Sequence, residues 1–434
     1  MGIRAIRGFK DILPPETRSW QELEELARAC FETFGFSEIR TPILEKTEVF
    51  NRGIGEHTDI VEKEMYTFTD RNGDSLTLRP EATAGIIRAY IENKLYNRSS
   101  VQKLYTIGPM FRHERPQKGR LRQFHQINAE LLGSDDPLSD AEVIWVAWEI
   151  LQEIGLKGEL RLEVNSLGCP KCRPGHRKDL SVFLENNAQD LCEDCKRRMK
   201  TNPLRVFDCK KEECRRALLL APVIKHYWCP ECSEHLGRVL DYLEFLEISF
   251  VINPHLVRGL DYYQRTTFEI KATGLGAQDT VAAGGRYDGL VELLGGPKIP
   301  GVGMAIGMER ALLLMESEAE EEATDCYFAV LDRDALEYVL KWMKELRQNG
   351  LICETSYGKK SLKAQLRAAD RVRARFSVIV GESELEEEEA ILRDMETHEQ
   401  WQVPFDEVPR ELLKKTLEEE EVEAKKAVQE EERE

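Results

Sequence analysis

The sequence predicts an α+β protein: a large antiparallel sheet flanked by helices, a small cysteine-rich insertion, and a C-terminal α/β domain. Three observations carry this reading. Two hairpins lie close together at residues 65–79 and 103–132. Eight of the eleven cysteines crowd between Cys169 and Cys232. A Glu-rich break after residue 315 is followed by alternating strands and helices. At 434 residues the chain exceeds one ordinary core, and roughly 150 residues per domain suggests about three.

The elements follow in order. Trp20, Leu23, Leu26, Ala27, Cys30, Phe31 and Phe34 recur at helical spacing, so a helix is expected over 16–34, ended by Gly35. Residues 36–44 read as a strand. Alternation on both sides of Asn72-Gly73 makes the first hairpin. The longer hairpin joins 103–114 to 121–132 through a polar loop, Arg115–Arg120, suited to mobility. Further strands are expected at 160–165, 262–271, 280–283 and 301–306, the last running into a helix over 308–315. Glu316–Thr324 reads as a linker. Beyond it, 327–331, 335–349, 352–354, 362–371 and 377–380 read as strands and helices in alternation around a partly parallel sheet. The expected boundaries are 1–167 and 246–315 for the sheet core, 168–245 for the insertion, 316–325 for the linker, 326–415 for the C-terminal domain and 416–434 for a charged tail.

Composition narrows the function. Hydrophobic content of 41% with 32% charged residues fits a globular, well-solvated chain. No run approaches the ~20 apolar residues of a membrane helix. The start, MGIRAIRGFKDILPP, lacks a signal-peptide core, and Ile6 stands where a myristoylation motif wants Ser or Thr. A cytoplasmic, membrane-free protein is expected. A net charge of −18 argues against a general nucleic-acid coat but allows RNA on a local basic patch. The acidic runs Glu316–Glu322, Glu384–Glu389 and Glu418 onward read as solvated surface and a frayed tail.

A reducing cytosol disfavours disulfides. Cys169 with Cys172, Cys192 with Cys195, Cys209 with Cys214 and Cys229 with Cys232 form four closely spaced pairs, which suits structural Zn²⁺ at up to two tetrahedral sites. The two outer CPxC pairs bracket the segment, which favours outer with outer and inner with inner. Other pairings, buried free thiols, a redox role and an iron–sulfur cluster are the alternatives, with His176, His226 and His235 as substitute ligands.

No G-x-x-x-x-G-K-[ST] loop is present, and Gly301 to Gly307 has the wrong spacing for a dinucleotide fingerprint. Those glycines are expected to let a strand and a helix pack closely. Phosphate binding then falls to arginines, whose forked donors match it. Arg112, Arg115, Arg120 and Arg122 lie within eleven residues, with Phe124 as a flat surface beside them. Strand alternation puts Arg112 and Glu114 on one face, and Gln126, Asn128 and Glu130 on one face of the returning strand. Such a row is costly to bury unless it binds something polar, although a wet sheet face is the plainer alternative. Arg79-Pro80-Glu81-Ala82-Thr83 and Arg258-Gly-Leu-Asp261-Tyr262-Tyr263 add arginine, carboxylates, a hydroxyl and aromatic walls; alone, each is a surface turn. Lys360, Lys363, Arg367 and Arg371, spaced 3, 4 and 4 apart, form a stripe followed by Arg373 and Arg375. It reads as an RNA-facing patch or a solvated basic face.

These residues resemble a known family over nearly the whole chain. Phe111-Arg112-His113-Glu114, with Arg120 and Phe124, resembles motif 2 of class II aminoacyl-tRNA synthetases. Gly301 to Arg310 resembles motif 3, and Ile39 to Glu45 resembles motif 1, the dimer element. Arg258–Tyr263 and Ala283-Gly-Gly-Arg-Tyr-Asp288 resemble two stretches peculiar to histidyl-tRNA synthetases. The resemblance implies a homodimer with a class II catalytic core and a C-terminal anticodon-binding domain. It implies a ligase that makes histidyl-adenylate from L-histidine and ATP with Mg²⁺, then loads the 3′ end of tRNA(His). By position, Arg112 is implied to hold the α-phosphate, Glu114 the adenine amino group, Phe124 the adenine face and Arg310 the tail phosphates, with Arg120 also at the nucleotide. Histidine is implied to sit among Glu81, Ala82, Thr83, Arg112, Gln126, Glu130, Arg258, Tyr262 and Tyr263, with Glu130 and Tyr263 toward the imidazole. Arg258 is implied as the catalytic cation, with Arg112. Arg115 and Gln117 are implied to read the extra 5′ guanine, and Lys360, Lys363, Arg367 and Arg371 to face the anticodon. Many family members lack the cysteines, which points to a structural metal. Two rivals remain. A non-catalytic synthetase-like regulator of histidine biosynthesis would lack the C-terminal domain. A zinc-dependent RNA-binding module would leave the arginine and carboxylate constellation unexplained.

Overall fold

The computed structural model describes residues 3–55, 58–156, 158–275, 279–315 and 323–417. The acidic runs expected at 316–322 and from 418 onward lie outside them. The chain divides into two compact units, residues 1–319 and 320–434.

The first unit is organised by an eight-stranded sheet. In chain order its strands are β1 (Ser37–Glu38), β2 (Gln102–Phe111), β3 (Gln123–Leu132), β4 (Leu160–Ser166), β5 (Phe250–Ile252), β6 (Gln264–Ala272), β7 (Thr280–Arg286) and β8 (Gly301–Gly307). Their spatial order is β1-β2-β3-β8-β7-β6-β4-β5. Every inner pairing is antiparallel, as expected, but β1 joins β2 and β5 joins β4 in parallel, so the sheet is mixed at both edges. The expected strand over 36–44 breaks into β1 and a separate strand, Leu44–Lys46, because Pro42 has no N–H to continue a ladder. That second piece joins Tyr66–Thr69 and Ser75–Leu78 in a three-stranded sheet.

Helix α1 (Glu16–Thr33) buries Trp20, Leu23, Ala27, Cys30 and Phe31, the face its periodicity marks. It meets two further helices on one side of the sheet. Helix α2 (Pro137–Glu153) starts with the Asp136 side chain accepting from the Leu138 N–H and Pro137 in its first turn. Helix α3 (Pro230–Phe245) falls within the expected insertion, yet its Leu236, Val239 and Leu243 belong to the main core. Asp140 on α2 locks this layer: Arg286 and His235 donate to its carboxylate, His235 at 2.7 Å. Burial pushes the Asp140 carboxyl up, but those two partners hold it below the usual range.

The rest of the insertion is short helices around a small core of its own, including Leu180, Leu184, Val206 and Leu218. The second unit orders β9 (Cys326–Val330), β10 (Cys353–Thr355), β11 (Phe376–Val380), β12 (Glu389–Asp394) and β13 (Gln400–Pro404) as β10-β9-β11-β12-β13. β9 is parallel to both neighbours, and β12 and β13 add the antiparallel edge that the sequence reading missed. Helices α4 (Leu336–Gln348) and α5 (Leu362–Arg371) belong to the unit; Glu382–Glu387, which overlaps the acidic run, is also helical, and so are residues 408–417.

Candidate active site

The ends of β3, β6, β7 and β8, with the loop before β6, enclose a cavity of about 330 Å³. Its walls bring together residues from the arginine-rich hairpin and the stretches at 79–83, 258–263 and 301–310, but none of the cysteines and none of the C-terminal basic residues: Glu81, Thr83, Arg112, Glu114, Arg120, Phe124, Gln126, Arg258, Tyr262, Tyr263 and Arg310.

Arg112 and Glu114 lie just past the end of β2, so strand alternation does not orient them as expected. A tight turn does: Glu114 N–H donates to the Arg112 carbonyl at 2.8 Å. The Arg112 Nε donates to the Pro80 carbonyl at 2.8 Å, and its guanidinium lies 5.2 Å from the centre of the Phe124 ring. Burial lowers its pKa from the ordinary guanidinium value, a sign that charge is held in a poorly hydrated place. Arg120 forms an ion pair with Glu114, and Arg310 donates to the carbonyls of Gly119 and Thr280. Gln117 bridges back to Arg120 as a short antiparallel turn, leaving Arg115 and Gln117 exposed.

Arg258 is held by an acidic partner and an aromatic ring. Its guanidinium donates to Glu269 at 2.6 Å and lies 5.6 Å from the Tyr263 ring centre, while its Nε has no partner. The Gln126 Oε1 and Asn128 Nδ2 atoms are also buried without partners. Buried polar atoms are rarely left unsatisfied, so three among the residues lining one cavity mark a place for a polar ligand. Glu269, fixed also by the Thr280 hydroxyl at 2.9 Å, was missed in the sequence. A carboxylate alternating with apolar residues in Phe268-Glu269-Ile270 was its only signal.

Glu81 and Glu130 sit differently from each other. The Glu81 carboxylate accepts from the N–H groups of Thr83 and Ala84 at 2.6 and 3.0 Å, closing the first turn of helix Thr83–Glu92. Glu130 is fully buried and does not line the cavity; neither does Ala82. The Thr83 hydroxyl donates to Glu130 at 2.6 Å, and the Tyr287 hydroxyl donates to its other oxygen. Burial drives the Glu130 carboxyl up to about 8, so it is largely protonated at neutral pH. The glycines of β8 serve this arrangement. A Cβ on Gly303 would fall 1.8 Å from Glu130 Oε2, and one on Gly301 would strike the Tyr287 ring. They make room for side chains of neighbouring strands, not for a helix as expected.

The eight cysteines form two groups, the outer Cys169, Cys172, Cys229 and Cys232 and the inner Cys192, Cys195, Cys209 and Cys214, with sulfurs within 4.8 Å of one another in each. Distances such as 3.6 Å for Cys169–Cys172 and 3.9 Å for Cys192–Cys209 approach the roughly 3.8 Å edge of a tetrahedron with ~2.3 Å zinc–sulfur bonds. Burial raises the Cys169 and Cys192 thiols, but N–H groups and neighbouring thiols outweigh it and bring both down to about 7. His176 and His235 are engaged elsewhere, with Pro222 and Asp140.

Lys363, Arg367 and Arg371 lie exposed along α5, opposite its buried Gln365 and Ala369. Lys360 precedes the Ser361 cap, so the helical stripe has three members, not four.

Comparison with known proteins gives the family. A profile described as histidyl-tRNA synthetase matches residues 8–169 and 211–312, and one described as an anticodon-binding domain matches 325–415. The stretch 170–210 lies outside both. The histidine–tRNA ligase of Trichlorobacter lovleyi is 53% identical over 385 residues, 89% of this chain and 92% of that protein. The histidine–tRNA ligase of Desulfosudis oleivorans is 51% identical over 414 residues, 95% of this chain and 98% of that one. The crystal structure of the apo histidyl-tRNA synthetase of S. aureus is 35% identical, with a TM-score of 0.79, covering 95% of this chain and 100% of that one. A Bacillus halodurans structure described as an ATP phosphoribosyltransferase regulatory subunit/histidyl-tRNA synthetase shares the fold at 20% identity, with a TM-score of 0.62 over 85% of this chain and 97% of that one. The chain belongs to the histidyl-tRNA synthetase family.

Proposed function

We propose that this member of the histidyl-tRNA synthetase family forms histidyl-adenylate in the cavity between β3, β6, β7 and β8, from histidine and ATP. That the chain ligates histidine to tRNA follows from its family and from the half of its residues shared, nearly end to end, with histidine–tRNA ligases. The residue roles within the cavity are our assignment. The observation that carries it is the row of unpartnered atoms on Gln126, Asn128 and Arg258, facing a cavity that also holds Arg112, Arg310 and the Phe124 ring.

In this reading the histidine carboxylate attacks the α-phosphate and pyrophosphate leaves. Arg112 and Arg258 face the charge that builds on the phosphate, where fixed cations in a dry site act more strongly than water. Glu269 and Tyr263 hold Arg258 in place. Glu114 and Phe124 bind the adenine, and Arg120 and Arg310 the remaining phosphates. Glu81, Thr83, Gln126, Tyr262 and Tyr263 receive the histidine, with Glu130 acting through Thr83. Mg²⁺ arrives with the nucleotide and screens the pyrophosphate. The histidyl group then passes to tRNA(His), whose 5′ end meets Arg115 and Gln117 and whose anticodon meets Lys363, Arg367 and Arg371, with Lys360 beside them.

The same proposal includes a cytoplasmic homodimer and two structural Zn²⁺ ions. Exposed Leu44 and Phe68 on the three-stranded sheet, with exposed Ile43 just before it, support the dimer, and sulfur spacing supports the zinc. No helix among the described residues is long and apolar enough to cross a membrane. ATP–pyrophosphate exchange, run with each amino acid in turn, tests the reaction. Exchange with histidine alone is expected, and exchange with any other amino acid but not with histidine sinks it. Elemental analysis is expected to give two zinc ions per chain, and fewer than one overturns the metal assignment.

A further inference from the structure

Lys210 lines the catalytic cavity together with Arg112, Arg258 and Arg310, and no role described so far uses it. It comes from the insertion, in the stretch that the family profile does not match. Among the described residues its ammonium has neither a hydrogen bond nor an ion pair, whereas Arg112, Arg258 and Arg310 are each held by protein groups.

Its position is not accidental to the insertion's architecture. Lys210 directly follows Cys209, one of the inner four cysteines. The turn before it, Pro203–Asp208, is wedged between two cores: Leu204 and Phe207 pack both against the cysteine-rich core and against the cluster containing Val257 and Tyr263. The Phe207 ring stacks on His255 at 5.1 Å and 11°. Arg205 donates to the Gly259 carbonyl, and Asn202 donates to Asp261 at 2.6 Å. The insertion therefore grips the loop that carries Arg258 on both flanks, and its inner cysteines fix the backbone from which Lys210 projects. A metal held by the inner four cysteines would fix the backbone at Cys209 and so restrict the reach of the flexible four-carbon stem that starts beside it.

We infer that Lys210 is a further substrate-contacting residue of the catalytic cavity, positioned there by the inner four-cysteine site, and that it pairs with an anionic group of a bound substrate. This rests on the functional reading above, under which the anions are the ATP phosphates and the histidine carboxylate.

Titration calorimetry on the metal-loaded full chain tests it, with ATP, histidine and histidinol (which lacks the carboxylate) as probes. Lys210→Gln is expected to keep both metal ions and the melting temperature. It should weaken ATP binding about tenfold if the partner is phosphate, or weaken histidine but not histidinol if it is carboxylate; Lys210→Arg should recover most of either loss. Unchanged binding of both ATP and histidine overturns the inference, and so does an equal loss for histidine and histidinol or a loss of metal. Cys192→Ser is expected to lose one metal equivalent and to show the same weakening, with Lys210→Gln adding little on top. Full additivity would break the link between the metal site and Lys210. Failure of the wild-type protein to exchange pyrophosphate with histidine would instead count against the functional reading itself.

Discussion

Arg258 and Glu130 show how burial sets the behaviour of single residues. Arg258 keeps its charge in a buried place because Glu269 is 2.6 Å away and the Tyr263 ring lies beneath it. Arg258→Gln removes a cation aimed at developing charge, so histidine-dependent exchange should slow by about 10²–10³-fold. Leaving Glu269 without its partner should also destabilise the fold by about 1–3 kcal/mol. Exchange kinetics beside a thermal melt separate the two effects, and an undiminished rate in a folded variant removes Arg258 from the chemistry. Glu130 works in the opposite sense. Its carboxyl is raised from 4.5 to about 8 on folding, so the folded state holds a proton that the unfolded state releases between those values. Folding stability therefore falls as pH rises from about 4.5 to about 8 and levels off above, as far as this residue is concerned. Glu130→Gln cannot titrate, so its melting temperature should decline less than the wild type's between pH 5 and 8. Matching declines would show that Glu130 is ionised in the folded protein. Neither Glu269 nor the pairing of Glu130 with Tyr287 was legible in the sequence, because both join residues whose proximity exists only across the sheet.

At the level of elements, the glycines of β8 are the most informative. Gly303 faces Glu130 on one neighbouring strand and Gly285 on the other, with the Ala129 carbonyl 2.8 Å from where a Cβ would stand. Gly303→Ala must displace the Glu130 carboxyl and press on backbone, so it should lower stability by about 1–3 kcal/mol by chemical denaturation. A stability equal to the wild type's would mean the strand shifts freely. The sequence marked β8 and the long hairpin, because the hairpin strands alternate about a polar loop and β8 is a short run between Pro300 and the helix that starts at Met308. It missed α2, whose buried residues cover more than half of its circumference and blur the amphipathic period, and it read 36–44 as one strand where the chain breaks around Pro42. The insertion boundary moved for a similar reason. α3 begins just after Cys229 and carries Cys232, but its apolar face of Leu236, Val239 and Leu243 belongs to the main core.

Across the whole molecule, the C-terminal unit has a core of its own, including Phe328, Trp342, Phe376 and Leu392. Its basic stripe lies on α5, and none of the stripe's residues lines the cavity. Replacing Lys363, Arg367 and Arg371 together with Gln should leave pyrophosphate exchange unchanged and raise the KM for tRNA. It should also flatten the dependence of log binding on log salt by about 2, from three lost contacts to a single-stranded phosphate backbone. An unchanged salt slope would return the stripe to ordinary solvated surface. By itself the sequence determined the fold class, the presence of a C-terminal domain beyond the sheet core, the grouping of cysteines into pairs and, through the motifs that carry the family resemblance, the reaction class. Those are local properties: period, turn chemistry, ligand spacing and contiguous motifs. Only the tertiary structure decided which carboxylate holds Arg258, why β8 needs glycine, that Glu130 stands behind Thr83, and that Lys210 reaches the cavity. Each depends on groups far apart in the chain meeting across strands or between cores, and no one-dimensional spacing encodes such a meeting.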